Sequence, residues 1–205
     1  MPKLRRNTTI IIGEGPTEFY YLNSLKDEFR ELQNIKPDTP KNTSLRELER
    51  SIESAIAIGY DRIFCLIDMD TKKKDATSRR EYARLKSKYH GKKVTNEKKG
   101  LNYEVRFFET DRCTELFFLY YFRYTGQIYI DSKAIEEELT KECGYEKTQR
   151  FFATHPLHQF FKQKGGDLNR AIDNSKKSEA SIAKGDRNYT YSELGAMFEL
   201  LGISI

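Results

Sequence analysis

Apolar positions in this chain follow two rhythms. Continuous short runs at Thr8-Thr9-Ile10-Ile11-Ile12 and Ile63-Phe64-Cys65-Leu66-Ile67 predict strands buried on both faces. After the first run, Leu22, Leu25, Phe29 and Leu32 recur at a 3–4 spacing, which predicts a helix from Pro16 to about Gln33 with those four residues inward. Pro16 suits the first position of that helix. Ile35 to Pro40 reads as a short edge strand, because Pro37 and Pro40 exclude a central one. Ser44 with Glu47 forms a capping box, Leu45, Leu48, Ile52, Ala55 and Ile56 give the next helix its buried stripe, and Gly59 ends it. A helix from Thr77 to His90 follows, with Tyr82, Leu85 and Tyr89 on one side, then a loop between Gly91 and Gly100. Tyr103-Glu104-Val105-Arg106-Phe107-Phe108-Glu109 alternates as a strand, and Asp111 is placed to cap a helix starting at Arg112. The body of that helix, Leu116 to Phe122, is apolar all round and must be deeply packed.

Such alternation predicts an α/β fold: a parallel-sheet core with helices on both faces, over residues 1–126. From Asp131 onward the strand signal vanishes. Ser132 to Glu142, Thr148 to Lys162 and Ser192 to Leu201 read as helices, so residues 127–205 form an α-helical C-terminal region packed on the core. The 205 residues suit one domain with a small appended part.

Composition narrows the class. The apolar fraction is only 38%, yet 13 Phe and 13 Tyr can still supply a core. No apolar run approaches the roughly 18 residues of a membrane span, and the amino-terminal residues lack the apolar stretch of a secretory signal. Cys65, Cys113 and Cys143 are scattered, which predicts reduced thiols in a cytoplasmic protein, with no disulfide framework or zinc site. The net charge of +5 is uneven: residues 71–100 hold twelve Lys and Arg against three acids, a local +9, so the remainder sums to −4. This basic insertion is either a phosphate-attracting surface, with Lys72, Lys73, Lys74, Arg79, Arg80, Arg84, Lys92 and Lys93 drawing in a nucleic acid backbone, or a solvated lysine-rich loop.

Both buried strands finish in acids. The first runs into Gly13-Glu14-Gly15-Pro16-Thr17-Glu18 and the second into Asp68-Met69-Asp70. Ligands of open α/β sheets bind beyond the carboxyl ends of the strands, so these acids stand where chemistry is done. Strand alternation sends Asp68 and Asp70 to the same side, with Glu14 on the neighbouring strand. Such a triad suits Mg²⁺ or Mn²⁺, hard cations that take carboxylates plus substrate phosphate oxygens. The plain alternative makes Glu14 a charge at a helix start and Glu18 a surface residue. Glu115, in an apolar helix, needs a partner, either Arg112 or a basic residue elsewhere, unless it has a functional role. His155 and His158 fit packing or capping better than a metal, His90 fits the end of its helix, and Tyr189 and Tyr191 could stack on a base, although Ser192 capping the last helix explains that stretch more simply.

The stretch Gly13 to Glu18, with Leu66-Ile67-Asp68-Met69-Asp70, resembles the Toprim signature of a glutamate after the first strand and a DxD after a later one. Cys113-Thr114-Glu115-Leu116-Phe117-Phe118-Leu119-Tyr120-Tyr121-Phe122 looks like the "nPcFElWlllHf" segment of RloB-like proteins. The resemblance spans nearly the whole chain and implies a Toprim-like fold, magnesium-dependent nuclease chemistry and a place in bacterial restriction-linked or anti-phage defence gene clusters. It assigns Glu14 as acid/base or metal ligand and Asp68 and Asp70 as metal ligands, and it aligns Glu18 and Glu115 with further acids of the family. It also departs from the family pattern. Asp111-Arg112 replaces Asn-Pro, Thr114 and Phe117 replace Phe and Trp, and Tyr121 stands where the histidine is usual. These departures keep a second reading open: a catalytically inactive module that binds nucleic acid or joins a protein partner encoded nearby. A receiver-like phosphoacceptor domain would also gather acids at strand ends, but the long helical tail fits it poorly.

Overall fold

A computed structural model describes residues 8–39, 42–96, 101–183 and 190–203. Five strands form one sheet: β1 (Thr9–Ile12), β2 (Ile35–Asp38), β3 (Arg62–Asp68), β4 (Lys93–Asn96) and β5 (Leu101–Thr110). Their order is β2-β1-β3-β5-β4, with every pair parallel except the β4–β5 hairpin. The fold is α/β, with helices on both faces of the sheet.

Side-chain alternation divides the core. Ile11, Phe64, Leu66 and Phe108 face the layer containing α1 (Pro16–Lys26) and the C-terminal helices. Ile10, Ile12, Ile63, Cys65, Ile67, Val105 and Phe107 face α2 (Leu45–Ile58) and α4 (Ala76–Tyr89). β1 leads through α1 to β2 on one side, whereas β3 leads to β5 on the other. The connections therefore diverge between β1 and β3, which opens a crevice at their carboxyl ends.

Local signals decide several boundaries. Ser44 accepts a hydrogen bond from the Glu47 amide to start α2, and Gly59, at φ 97°, ends it in the left-handed conformation. Other boundaries move. The first helix stops at Lys26, and a short 3-10 turn (Arg30–Leu32) returns Leu32 to the core while Phe29 is only partly buried. The loop after Gly91 contains β4, which forms by pairing with Leu101 to Glu104 and not from its own apolar content. The basic segment is thus part of the core: α4 buries Tyr82, Leu85 and Tyr89, and β4 extends the sheet. His90 is no dipole charge. Its Nδ1 accepts from the Phe107 amide at 3.0 Å, and burial pushes its pKa down.

The next helix, α5 (Glu115–Tyr120), begins three residues later than Arg112, because the preceding backbone is engaged elsewhere. The Asp111 amide donates to the Tyr191 carbonyl and the Arg112 carbonyl accepts from the Asp70 amide. All six residues of α5 are buried. The C-terminal region comprises α6 (Ser132–Cys143), α7 (Gln149–Thr154), α8 (Leu157–Gln163), α9 (Leu168–Ala183) and α10 (Leu194–Leu200). What reads as one helix from Thr148 is two, broken at His155-Pro156 because proline lacks the amide that a continuous helix needs. These helices share an aromatic core with α1 and α5. Phe118 lies 4.7 Å from Tyr21 and 5.0 Å from Phe161, centroid to centroid, and Phe198 stacks on Phe117. All three cysteines are free and buried. Among the described residues, no helix is long and apolar enough to cross a membrane.

Candidate functional site

At the end of β1 the Gly13 amide bonds the Asp38 carbonyl at 3.0 Å and the chain turns sharply into α1. A side chain at position 13 would meet the Glu18 Cβ at 2.6 Å, so glycine is what lets Glu18 fold back. Glu18 then accepts from the Gly15 amide at 2.8 Å and caps its own helix; it is 3% exposed, not a surface residue. Glu14 lies between, facing the end of β3. One of its oxygens, Oε1, accepts the Asp68 amide at 3.2 Å and also contacts the Lys72 ammonium.

The strand β3 ends at Asp68, and the single-turn helix α3 (Met69–Lys72) starts at once. Asp70 therefore sits on a helical turn and not on the strand, so strand alternation does not govern where it points. Asp68 Oδ1 accepts both the amide (2.9 Å) and the hydroxyl (3.1 Å) of Thr114, and Asp70 accepts from the Ser132 hydroxyl at the start of α6 at 3.0 Å. Glu14, Glu18, Asp68 and Asp70 nevertheless line one cleft of about 210 Å³, together with Thr17, Thr71 and Lys147.

Crowded burial sets the electrostatics. Burial, followed by the charges of Glu18, Glu14, Glu115 and Asp70, raises the pKa of Asp68 well above the ordinary aspartate range. Glu18 is raised by burial and by Glu115. Glu14 is pushed from 4.5 up to about 7, burial outweighing the opposing pull of Lys72. Glu115 is fully buried. Its Oε1 takes the Tyr145 hydroxyl and the Lys147 ammonium, each at 3.0 Å, and its Oε2 has no partner. Its cation is Lys147, not Arg112, which donates to the Tyr129 carbonyl instead. Burial alone would lower the Lys147 pKa, but Glu115 overrides it and holds the pKa above the ordinary lysine value.

The donor chemistry fits a hard divalent cation: several hard carboxylate oxygens converge on one cleft and raise one another's pKa. The geometry is only part-way there. Lys72 already contacts Glu14, and among the described residues no three His, Cys, Asp or Glu side chains stand as a ready-made metal-binding set.

The candidate nucleic-acid contacts are largely committed elsewhere. Lys72 is buried on Glu14. Lys73 pairs with Asp111 at 3.2 Å, Arg79 donates to the Lys73 carbonyl, Arg84 pairs with Glu49 at 2.8 Å and Lys93 with Glu104 at 3.6 Å. Lys74, Arg80 and Lys92 are exposed and make no ion pair among the described residues. The Tyr191 hydroxyl bonds Glu109 at 2.7 Å and the Lys73 ammonium lies 5.3 Å from its ring centroid; Tyr189, like Lys98 and Lys99, lies outside the described residues.

A sequence profile described as RloB-like protein matches residues 9–201, nearly the whole chain. The chain belongs to the RloB-like family. No curated protein and no solved structure matches it. Tyr121, the departure in this RloB-like chain's helix motif, lies in a buried relay. Its hydroxyl sits 2.7 Å from the Tyr21 hydroxyl and 3.0 Å from His158 Nδ1, while His158 Nε2 lies 3.2 Å from Glu28. His155 stacks on Phe151, so both histidines serve packing and hydrogen bonding. Sequence reasoning missed Lys147, which lines the cleft, and Thr114 and Ser132, which hold the cleft acids Asp68 and Asp70. Nothing in their local sequence marks them, because each comes from a segment distant from the acids.

Proposed function

We propose that this RloB-like protein is a Toprim-like nuclease that hydrolyses nucleic acid phosphodiesters with Mg²⁺ or Mn²⁺, acting in the cytoplasm in bacterial defence against phage. One observation carries the reading: Glu14 and Asp68, from two adjacent strand ends, and Asp70, from the helical turn after the second, line a single cleft where the sheet connections diverge. Glu14, Asp68 and Asp70 would hold the ion, which supplies Lewis-acid polarisation of the phosphate and a more acidic bound water. Thr114 fixes the orientation of Asp68 through two hydrogen bonds to one oxygen. As the alternative to holding the ion, Glu14, whose pKa burial raises to about 7, would serve as the general acid or base. Lys147 lines the same cleft and offers a positive charge to a phosphate.

Incubation of the purified chain with DNA and with RNA, single- and double-stranded, tests the proposal. Wild type is expected to cleave at least one of them only with Mg²⁺ or Mn²⁺ present, and Asp68→Asn to lose that cleavage by at least two orders of magnitude (about 10²-fold or more). Cleavage that survives Asp68→Asn rejects the site.

A second reading, a catalytically inactive module that binds nucleic acid or a partner protein, is favoured by the Lys72–Glu14 pair and by Tyr121, whose hydroxyl is enclosed in the core. Binding without cleavage, indifferent to Asp68→Asn, distinguishes it.

A further inference from the structure

Lys72 is an unusual neighbour of the acidic cleft, lining a small adjoining pocket beside Glu14. It lies four residues after Asp68 and two after Asp70, on the single turn of α3, and its side chain is only 3% exposed. Its ammonium contacts Glu14 Oε1 and donates to the Thr71 hydroxyl at 3.1 Å. That same Glu14 oxygen also accepts the Asp68 amide. Two donors already converge on it, so the oxygen has little capacity left for a third electropositive partner in the same direction. A buried lysine is costly unless paired, and Glu14 is its only carboxylate partner within ion-pair distance among the described residues. The neighbouring acids, by contrast, are satisfied by neutral donors: Asp68 by Thr114, Glu18 by the Gly15 amide and Asp70 by Ser132.

We propose that the Lys72 ammonium is a built-in competitor of the divalent cation, occupying the Glu14 carboxylate in the metal-free protein and leaving it when the ion binds. The proposal rests on the metal-site reading above. It makes Lys72 a gate on ion occupancy rather than part of a nucleic acid surface. A doubly charged ion drawn to Glu14, Asp68 and Asp70 gains more from the clustered carboxylates than one ammonium does, and the released lysine stem then extends towards the cleft. Glu14 therefore keeps a cationic partner in both states. Without the ion, an ammonium holds Glu14; with it, the ion holds Glu14 and the ammonium meets solvent or a phosphate.

Mn²⁺ titration of the full chain, followed by the paramagnetic resonance of free Mn²⁺, tests this on wild type, Lys72→Met and Lys72→Arg. Removal of the competitor is expected to tighten Mn²⁺ binding in Lys72→Met about tenfold or more, whereas Lys72→Arg, which keeps the charge, stays near wild type. Equal or weaker Mn²⁺ binding by Lys72→Met overturns the competition and leaves the metal site standing. Absence of Mn²⁺ binding in both wild type and Lys72→Met overturns the metal site itself. Acylation of wild-type lysines read by mass spectrometry needs no variant: Lys72 labelling is expected to rise several-fold at saturating Mn²⁺. Unchanged Lys72 labelling while Mn²⁺ is bound also overturns the competition.

Discussion

Replacing Glu14 with glutamine removes a charge whose burial should cost the protein stability at neutral pH. The Glu14 pKa rises from 4.5 to about 7 on folding, even with the Lys72 ammonium in contact. Each unit corresponds to about 1.4 kcal/mol, so ionised Glu14 is disfavoured in the native state by about 3 kcal/mol. The carboxylate is mostly enclosed, with a side chain 13% exposed, so solvent screening removes little of that figure. The sign follows from proton counting. Between pH 4.5 and about 7 the native state holds the proton that the unfolded chain has released. Wild-type stability therefore falls as pH rises through that window. Glu14→Gln mimics the protonated acid, in which Lys72 likewise meets no charge from Glu14, and escapes this loss. Guanidinium unfolding at a series of pH values should give matched stabilities near pH 4.5 and an advantage to Glu14→Gln growing to about 3 kcal/mol by pH 7–8. Comparing the variant with wild type at each pH cancels the contributions of Glu18 and Asp68, which are raised too, apart from their coupling to Glu14. A difference that stays flat with pH, or an amide less stable than the acid at pH 8, refutes the reasoning.

Other expectations follow from the same charges. Lys147→Met leaves the fully buried Glu115 carboxylate with only the Tyr145 hydroxyl, and urea unfolding should register a loss of about 2–4 kcal/mol that an added Glu115→Gln largely restores. Tyr121→Phe takes away the hydroxyl joining Tyr21 to His158 and should cost about 1–3 kcal/mol in the same assay; an unchanged midpoint would show that the relay contributes nothing. If the basic face meets phosphate, Lys74→Glu and Arg80→Glu should each flatten the log–log salt dependence of nucleic acid binding by about one unit, and Arg84→Glu by less, since Glu49 already holds that arginine. Equal effects from all three would reject the distinction between free and committed charges.

The α2 stripe, with Leu48, Ile52 and Ala55 inward and Gly59 ending the helix, was readable because period and cap are properties of adjacent residues. So was the pairing of two apolar runs with acids at their ends. β4 was not readable, since Val94 is its one apolar residue and its strand geometry comes from β5. Nor was the turn into α3, which takes Asp70 off the strand. Lys72 drew attention as one of twelve cations in a basic stretch, yet folding turned it inward onto Glu14.

The order of the residues alone thus determined the α/β alternation, the buried strands and which carboxylates end them. Tertiary packing alone decided that Lys147 reaches the cleft, that Thr114 holds Asp68, that Asp111 and Glu49 neutralise part of the basic segment, and that an ammonium occupies Glu14. The division has a physical cause. Periodicity and capping act over a few residues, whereas Coulomb and hydrogen-bond energies depend on distances of a few ångströms between groups that the chain separates by tens of residues.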